Sequence, residues 1–222
     1  MPALTRDNDV FILNLGDDEN RFNPAWVEEI GVLLDEVEAA PAPRALVTTA
    51  TGKFFSNGLD LEWMAAHQDE LAPFVGRVHE LLARVLGMGV PSVAALQGHT
   101  FAAGAMLALA HDRRLMRADR GFFCLPEVDI RIPFTPGMAA LIQARLPSHS
   151  AHEAMTTGRR CGAPDAQAAQ IVDEAVDEDA LVGRAVKLAG AIAGKDPATL
   201  AAIKARMYAG PIAVLRDAQA GG

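Results

Sequence analysis

Hydrophobic and polar positions follow two periods along this chain, and the periods mark out its elements. Val10 to Leu15 (VFILNL) is a short, nearly continuous apolar run closed by the turn-rich stretch GDDENRFN, which predicts a buried strand. Asn23 and Pro24 then read as a helix cap and a first-turn proline. Trp26, Ile30, Leu33 and Val37 recur at helical spacing, so an amphipathic helix of about four turns follows. Pro41 and Pro43 stop it, and Ala45 to Thr49 (ALVTT) predicts a second short strand. A strand–helix–strand unit of this kind implies an α/β fold with a partly parallel sheet.

The remaining pattern extends the same scheme. Ala50 to Gly58, containing KFFSNG, reads as a loop, followed by a short helix from about Asp60. Leu71, Phe74, Val78, Leu82 and Val85 mark a longer helix that Pro91 ends, and Ser92 to Leu96 (SVAAL) predicts a third strand. Gly98 to Gly104 is expected to turn into an apolar helix ending near His111, with short strands at Arg114–Ala118 and Gly121–Leu125. From Phe134 onward the expectation is mostly helical. Leu181, Ala185, Leu188 and Ile192 form one stripe; Asp196-Pro197 caps the next helix, with Leu200, Ile203 and Met207 on one face. The organisation expected is a core over 1–193 and a short helical tail over 194–222.

Composition narrows the function classes. The 222 residues suit one domain with its own core. A formal charge of −8 without a basic stripe argues against a nucleic-acid partner. No apolar run reaches the roughly 20 residues of a membrane span. The N-terminus lacks the apolar core of a signal peptide, and the C-terminal DAQAGG is not a peroxisomal address of the SKL type, so a cytoplasmic location is expected. Cys124 and Cys161 form no CxxC pair and read as reduced thiols. His149 and His152 lack a carboxylate at ligand spacing, so no metal site is expected.

Three segments at strand–loop or loop–helix junctions carry the candidate chemistry. In ALQGHTFAAGAML (95–107), the small residues Gly98, Ala102, Ala103, Gly104 and Ala105 open a helix whose first N–H groups are free. Small side chains let a ligand oxygen reach such donors, as an oxyanion hole requires; close helix–sheet packing asks for the same residues. In KFFSNGLDL (53–61), Asn57-Gly58 permits a tight turn that can aim the Leu59 N–H into a cavity, while Asp60 also suits a helix cap. In FCLPEVDI (123–130), Glu127 sits between Pro126 and Val128. A carboxyl beside apolar neighbours can have a raised pKa and serve as a general base, although a Pro-Glu pair alone more usually marks a turn or a helix start. Trp63, Met64, Phe101 and Phe134 fit either an acyl tunnel or an apolar core, and His99 either a cavity wall or a turn.

In this order, the three segments and the later MTTGRRCGAPDAQAAQIVDEAV resemble the crotonase (enoyl-CoA hydratase/isomerase) family over roughly residues 8–195. The resemblance implies a ββα spiral core with a C-terminal helical region, an acyl-CoA thioester as substrate, no cofactor beyond that coenzyme A, a role in fatty acid metabolism, and a homotrimer or hexamer. It implies that the N–H groups of Leu59 and Ala103 hold the thioester oxygen and that Glu127 transfers the proton. It places Ser56, Asn57, Gly58, Asp60, Leu61, Phe101, Gly104 and Phe134 around the substrate, with Asp60 and Leu61 along the coenzyme A. The family's hydratases carry a second glutamate where this chain has Met106. That departure points to the Δ3,Δ2-enoyl-CoA isomerase branch, whose chemistry needs one base; hydration or another acyl-CoA lyase or hydrolase reaction on the same scaffold, and a non-catalytic acyl-CoA-binding protein, are the alternatives.

Overall fold

The computed structural model describes residues 1–217; the end of the expected tail, 218–222, lies outside the described residues. The elements run β1 (Ala3–Asp7), β2 (Val10–Asn14), α1 (Pro24–Ala39), β3 (Ala45–Thr49), β4 (Phe54–Ser56), α2 (Leu61–Ala66), α3 (Leu71–Gly87), β5 (Ser92–Leu96), β6 (His99–Phe101) and α4 (Ala103–Ala110). They continue with β7 (Arg113–Arg117), β8 (Phe123–Cys124), α5 (Glu127–Ile130), α6 (Pro136–Arg145), α7 (Ser148–Thr157), α8 (Ala163–Ala168), β9 (Glu174–Val176), α9 (Glu178–Gly190), α10 (Pro197–Met207) and α11 (Ala209–Arg216).

Two sheets result. The larger has the order β1-β2-β3-β5-β7-β9, the smaller β4-β6-β8. Only the β1–β2 pair of the larger sheet is antiparallel; its other neighbours, and those of the smaller sheet, are parallel. Each turn of the chain adds one strand to the large sheet and the next to the small one: β3 then β4, β5 then β6, β7 then β8. This is the ββα spiral expected. The large sheet is covered on both faces, which is why its strands are nearly continuous apolar runs. Val47, Val93, Ala95 and Leu115 face α9 through Leu181, Ala185 and Ala189. Leu46, Ala94, Leu96 and Met116 face the other core, shared with α1, α3 and α4.

Local chemistry fixes the ends. Asn23 caps α1, its side chain accepting from the Trp26 N–H at 3.0 Å, with Pro24 in the first turn. Helix α4 (AGAMLALA) is buried on every side, as a helix without a polar face must be.

Several expectations are corrected. β1 forms an exposed edge, and its alternation is too polar to stand out in the sequence. The Ala50–Gly58 loop contains β4, the Gly98–Gly104 turn contains β6, and the helical region after Phe134 is interrupted by β9. In α10 the stripe Leu200, Ile203 and Met207 is not the core face: Ile203 is 48% and Met207 65% exposed, whereas Lys204 is 4% exposed. The reason is a long-range pair. Lys204 Nζ lies 2.7 Å from Asp112 Oδ1, and the Asp112 carboxylate also accepts from the Ser92 N–H at 2.9 Å. Burial of the ammonium is thus offset by a fixed counter-charge. Among the described residues no helix is long and apolar enough to cross a membrane.

Candidate active site

The small sheet and the helix after it bring the three candidate segments to one cavity. The cavity has a volume of about 240 Å³. Leu59, Ala102 and Ala103 line one part of it, Glu127 and Met106 another.

Two glycines hold the first two segments together. Gly58 has φ +80°, and a Cβ there would meet Ala102 Cβ at 2.8 Å and Ala103 N at 3.0 Å. A Cβ on Gly104 would lie 2.6 Å from Ser56 Cβ and 2.7 Å from Ser56 O. Only hydrogen in place of a side chain allows this approach. Ser56 is fully buried; its hydroxyl donates to Asn20 O at 2.8 Å and accepts from the Gly58 N–H at 3.1 Å. Ser56, Gly58 and Gly104 therefore build the frame behind the cavity and do not line it, which corrects their expected place against a substrate.

The amides follow from this frame. Phe22 binds the segment on both sides of Leu59: its N–H donates to Gly58 O at 2.8 Å, and its carbonyl accepts from the Asp60 N–H at 2.9 Å. Alternation along an extended strand turns the Leu59 N–H away from Phe22. Ala102 has φ +49° and ψ −124°, a conformation that costs a non-glycine residue about 1–3 kcal/mol. That strain sets the plane of the peptide that carries the Ala103 N–H, at the N-terminus of α4. Among the described residues neither the Leu59 nor the Ala103 N–H has a main-chain acceptor.

Glu127 opens α5 and is 6% exposed. Its Oε2 has no hydrogen-bond partner among the described residues. Loss of hydration pushes its pKa up from 4.5 to about 7, opposed only by its own backbone amide. Ile130, Ile132, Pro133, Phe134 and Met138 contribute an apolar wall to the cavity. Arg21 and Asn57 add polar groups to the lining, and both contact Glu19: Arg21 Nε at 2.5 Å and Asn57 Nδ2 at 3.0 Å from Oε2.

The other candidates divide. Leu61, Phe101 and Phe134 line the cavity as expected. The Asp60 carboxylate caps α2, accepting from the Trp63 N–H at 3.0 Å, and faces a neighbouring acidic groove with Glu19 and Glu62. Trp63 and Met64 pack against the core, Trp63 with its ring 4.9 Å from that of Phe74. His99 lies in β6 among the rings of Phe54, Phe101 and Phe122. Arg21, Ile130, Ile132 and Met138 were not singled out in the sequence, because no local motif marks a wall that only tertiary packing assembles.

A ββα spiral that brings two free main-chain amides and one desolvated carboxyl to an apolar cavity is the architecture of enzymes that polarise a carbonyl and move a proton beside it. The enoyl-CoA hydratase/isomerase family pattern matches residues 6–218. Enoyl-CoA delta isomerase 3 of Arabidopsis thaliana is 36% identical over 207 residues, covering 88% of this chain and 86% of that one. Carnitinyl-CoA dehydratase of Escherichia coli is 30% identical over 203 residues, covering 90% of this chain and 77% of that one. The crystal structure of a probable enoyl-CoA hydratase from Mycobacterium tuberculosis superposes with a TM-score of 0.90 at 25% identity, covering 97% of this chain and 91% of that one. The chain belongs to the enoyl-CoA hydratase/isomerase, or crotonase, family and is an enzyme of that family.

Proposed function

We propose that this enzyme shifts the double bond of a 3-enoyl-CoA to give the trans-2-enoyl-CoA, with Glu127 as sole proton carrier. The observation that carries the reading is a lone, unpartnered carboxyl in a cavity where Met106 fills the place of a hydratase's second glutamate. Hydration needs one group to activate water and another to deliver a proton, and a thioether does neither. An allylic shift needs one base.

The step balances on the residues named. Glu127 takes the proton from C2, and the electron pair of that C–H bond passes into the thioester to give a dienolate. The N–H groups of Leu59 and Ala103 hold its oxygen, each contributing about 3 kcal/mol to the transition state. Glu127 returns the proton to C4, the carbonyl re-forms, and the remaining double bond joins C2 and C3. One proton moves and nothing is oxidised, so the reaction draws on no group beyond the coenzyme A of its substrate. A carboxyl with a pKa of about 7 suits both halves: it is ionised often enough to accept and acidic enough to donate. The part of the cavity at Arg21 and Asn57 receives the coenzyme A, with Leu61 alongside, and the Ile130–Met138 wall receives the acyl chain.

The test is conversion of 3-hexenoyl-CoA by the wild type and by Glu127→Gln. Activity in the first and none in the second supports the reading; activity that survives in Glu127→Gln overturns it. Formation of a 3-hydroxyacyl-CoA from 2-hexenoyl-CoA as the faster reaction would favour hydration instead.

A further inference from the structure

A buried histidine remote from Glu127 remains without a role. His79 sits in the middle of α3 and is 1% exposed. An apolar residue there would pack without loss of hydration, so an imidazole in this position must gain through its partners. Its Nε2 lies 2.8 Å from the Thr135 hydroxyl. Thr135 caps α6, its Oγ1 accepting from the Met138 N–H at 3.2 Å. With that lone pair taken, the Thr135 hydroxyl hydrogen is free to go to Nε2, which fits a ring that is neutral at this nitrogen. Burial pushes the pKa of the ring down, which favours its neutral form.

These partners link two distant parts of the molecule. Phe134 immediately precedes Thr135, Met138 ends the first turn of α6, and both belong to the apolar lining of the cavity. The segment from Ile132 to Thr135 spans between two anchors: the Ile132 N–H donates to Glu127 O at 3.1 Å, and Thr135 is held by His79. Leu215 belongs to α11, which packs on α3 and α6. A Cβ on Gly137 would meet Leu215 Cα at 3.0 Å, so the first turn of α6 is pressed against α11.

We infer that His79 is a positioning residue for acyl-chain recognition: through Thr135 it fixes the Phe134–Met138 wall, on a turn of α6 that is also pressed against the C-terminal helix α11. The inference rests on the acyl-CoA reading of the cavity. It assigns the apolar wall, and not the oxyanion amides or Glu127, as the part His79 controls. Loss of the link therefore penalises long chains, which use the whole wall, and spares short ones.

The experiment measures dissociation constants for butanoyl-CoA and dodecanoyl-CoA, with kcat and KM for 3-hexenoyl-CoA and 3-dodecenoyl-CoA, in the wild type and four variants. His79→Leu and Thr135→Val are expected to weaken dodecanoyl-CoA binding about tenfold and to leave butanoyl-CoA within about twofold, with KM and not kcat carrying the change. Thr135→Ser keeps the hydroxyl and His79→Gln keeps an acceptor near Nε2, so both restore chain-length discrimination. Equal losses for both chain lengths, or losses that follow melting temperature alone, overturn the inference. Thr135→Val carries the test alone if His79→Leu does not fold. Chain-length-dependent binding without isomerisation would overturn the isomerase reading and leave this inference standing; a wild type that binds neither acyl-CoA would overturn both.

Discussion

Lys204 and Glu127 are almost equally buried, at 4% and 6% exposure, and the molecule treats them in opposite ways. Lys204 is met by Asp112 at 2.7 Å and by the Val90 carbonyl at 3.4 Å. Glu127 Oε2 meets nothing among the described residues. The first arrangement ties α10 to the junction of α4 and β7, and its charge is satisfied in place. The second leaves a carboxyl whose ionised form is unfavourable until something arrives to share its proton. The charge that ties the fold together is paired; the carboxyl proposed to carry the proton is left unpaired, at a cost to stability.

The largest effect expected comes from removing the unpaired charge. Glu127→Gln should lower the isomerisation rate by about a thousandfold or more, read as turnover of 3-hexenoyl-CoA. The same variant sharpens the comparison through stability. The folded pKa of Glu127 is raised from 4.5 to about 7, so the native state holds this proton more tightly than the unfolded chain. Its contribution is fully present below pH 4.5 and is lost as pH rises through about 7. Relative to the wild type, Glu127→Gln should therefore gain about 3 kcal/mol between pH 4 and pH 8, checked by urea unfolding at both. An unchanged difference would mean that Glu127 is solvated or paired.

Next in size is the frame of the amides. Gly104→Ala places a methyl against the Ser56 backbone, and the displaced α4 N-terminus should lower kcat about a hundredfold, with circular dichroism confirming the fold. Lys204→Met tests the paired charge. It should cost about 3 kcal/mol of stability by leaving Asp112 without its cation, while turnover per folded molecule stays within about twofold. The smallest effect is expected from Ala102→Gly, which relieves the backbone strain at φ +49° and should raise stability by up to about 1 kcal/mol with activity retained.

The same contrast explains what the sequence disclosed. α1, α3 and the strands β2, β3 and β5 were legible because each carries its own periodicity or cap, as Asn23 does for α1. Of the small-sheet strands only FC was expected, within Gly121–Leu125; FFS and HTF are three residues long, too short to show alternation, and exist only because the large sheet carries the chain back beside itself. The outward turn of Ile203 and Met207 was hidden because the cause, Asp112, lies 92 residues from Lys204. At the site, Leu59, Ala103 and Glu127 were readable as candidates from three motifs in order, since the roles proposed for them depend on small residues and a lone carboxyl near in sequence. Ser56 and Gly104 belong to the same motifs, yet composition does not separate a residue facing a ligand from one that lets two backbones touch. The contact of His79 with Thr135, and the packing of α6 on α11 at Gly137 and Leu215, join α3, α6 and α11, and no window of sequence contains them.

The most direct test of the central claim is the pH dependence of kcat/KM for 3-hexenoyl-CoA. An ionised Glu127 with a pKa of about 7 predicts a rise of about tenfold per pH unit below that value and a plateau above it. A profile that stays flat from about pH 5 to 9, or one that persists in Glu127→Gln, would contradict the assignment of the unpaired carboxyl as the proton carrier.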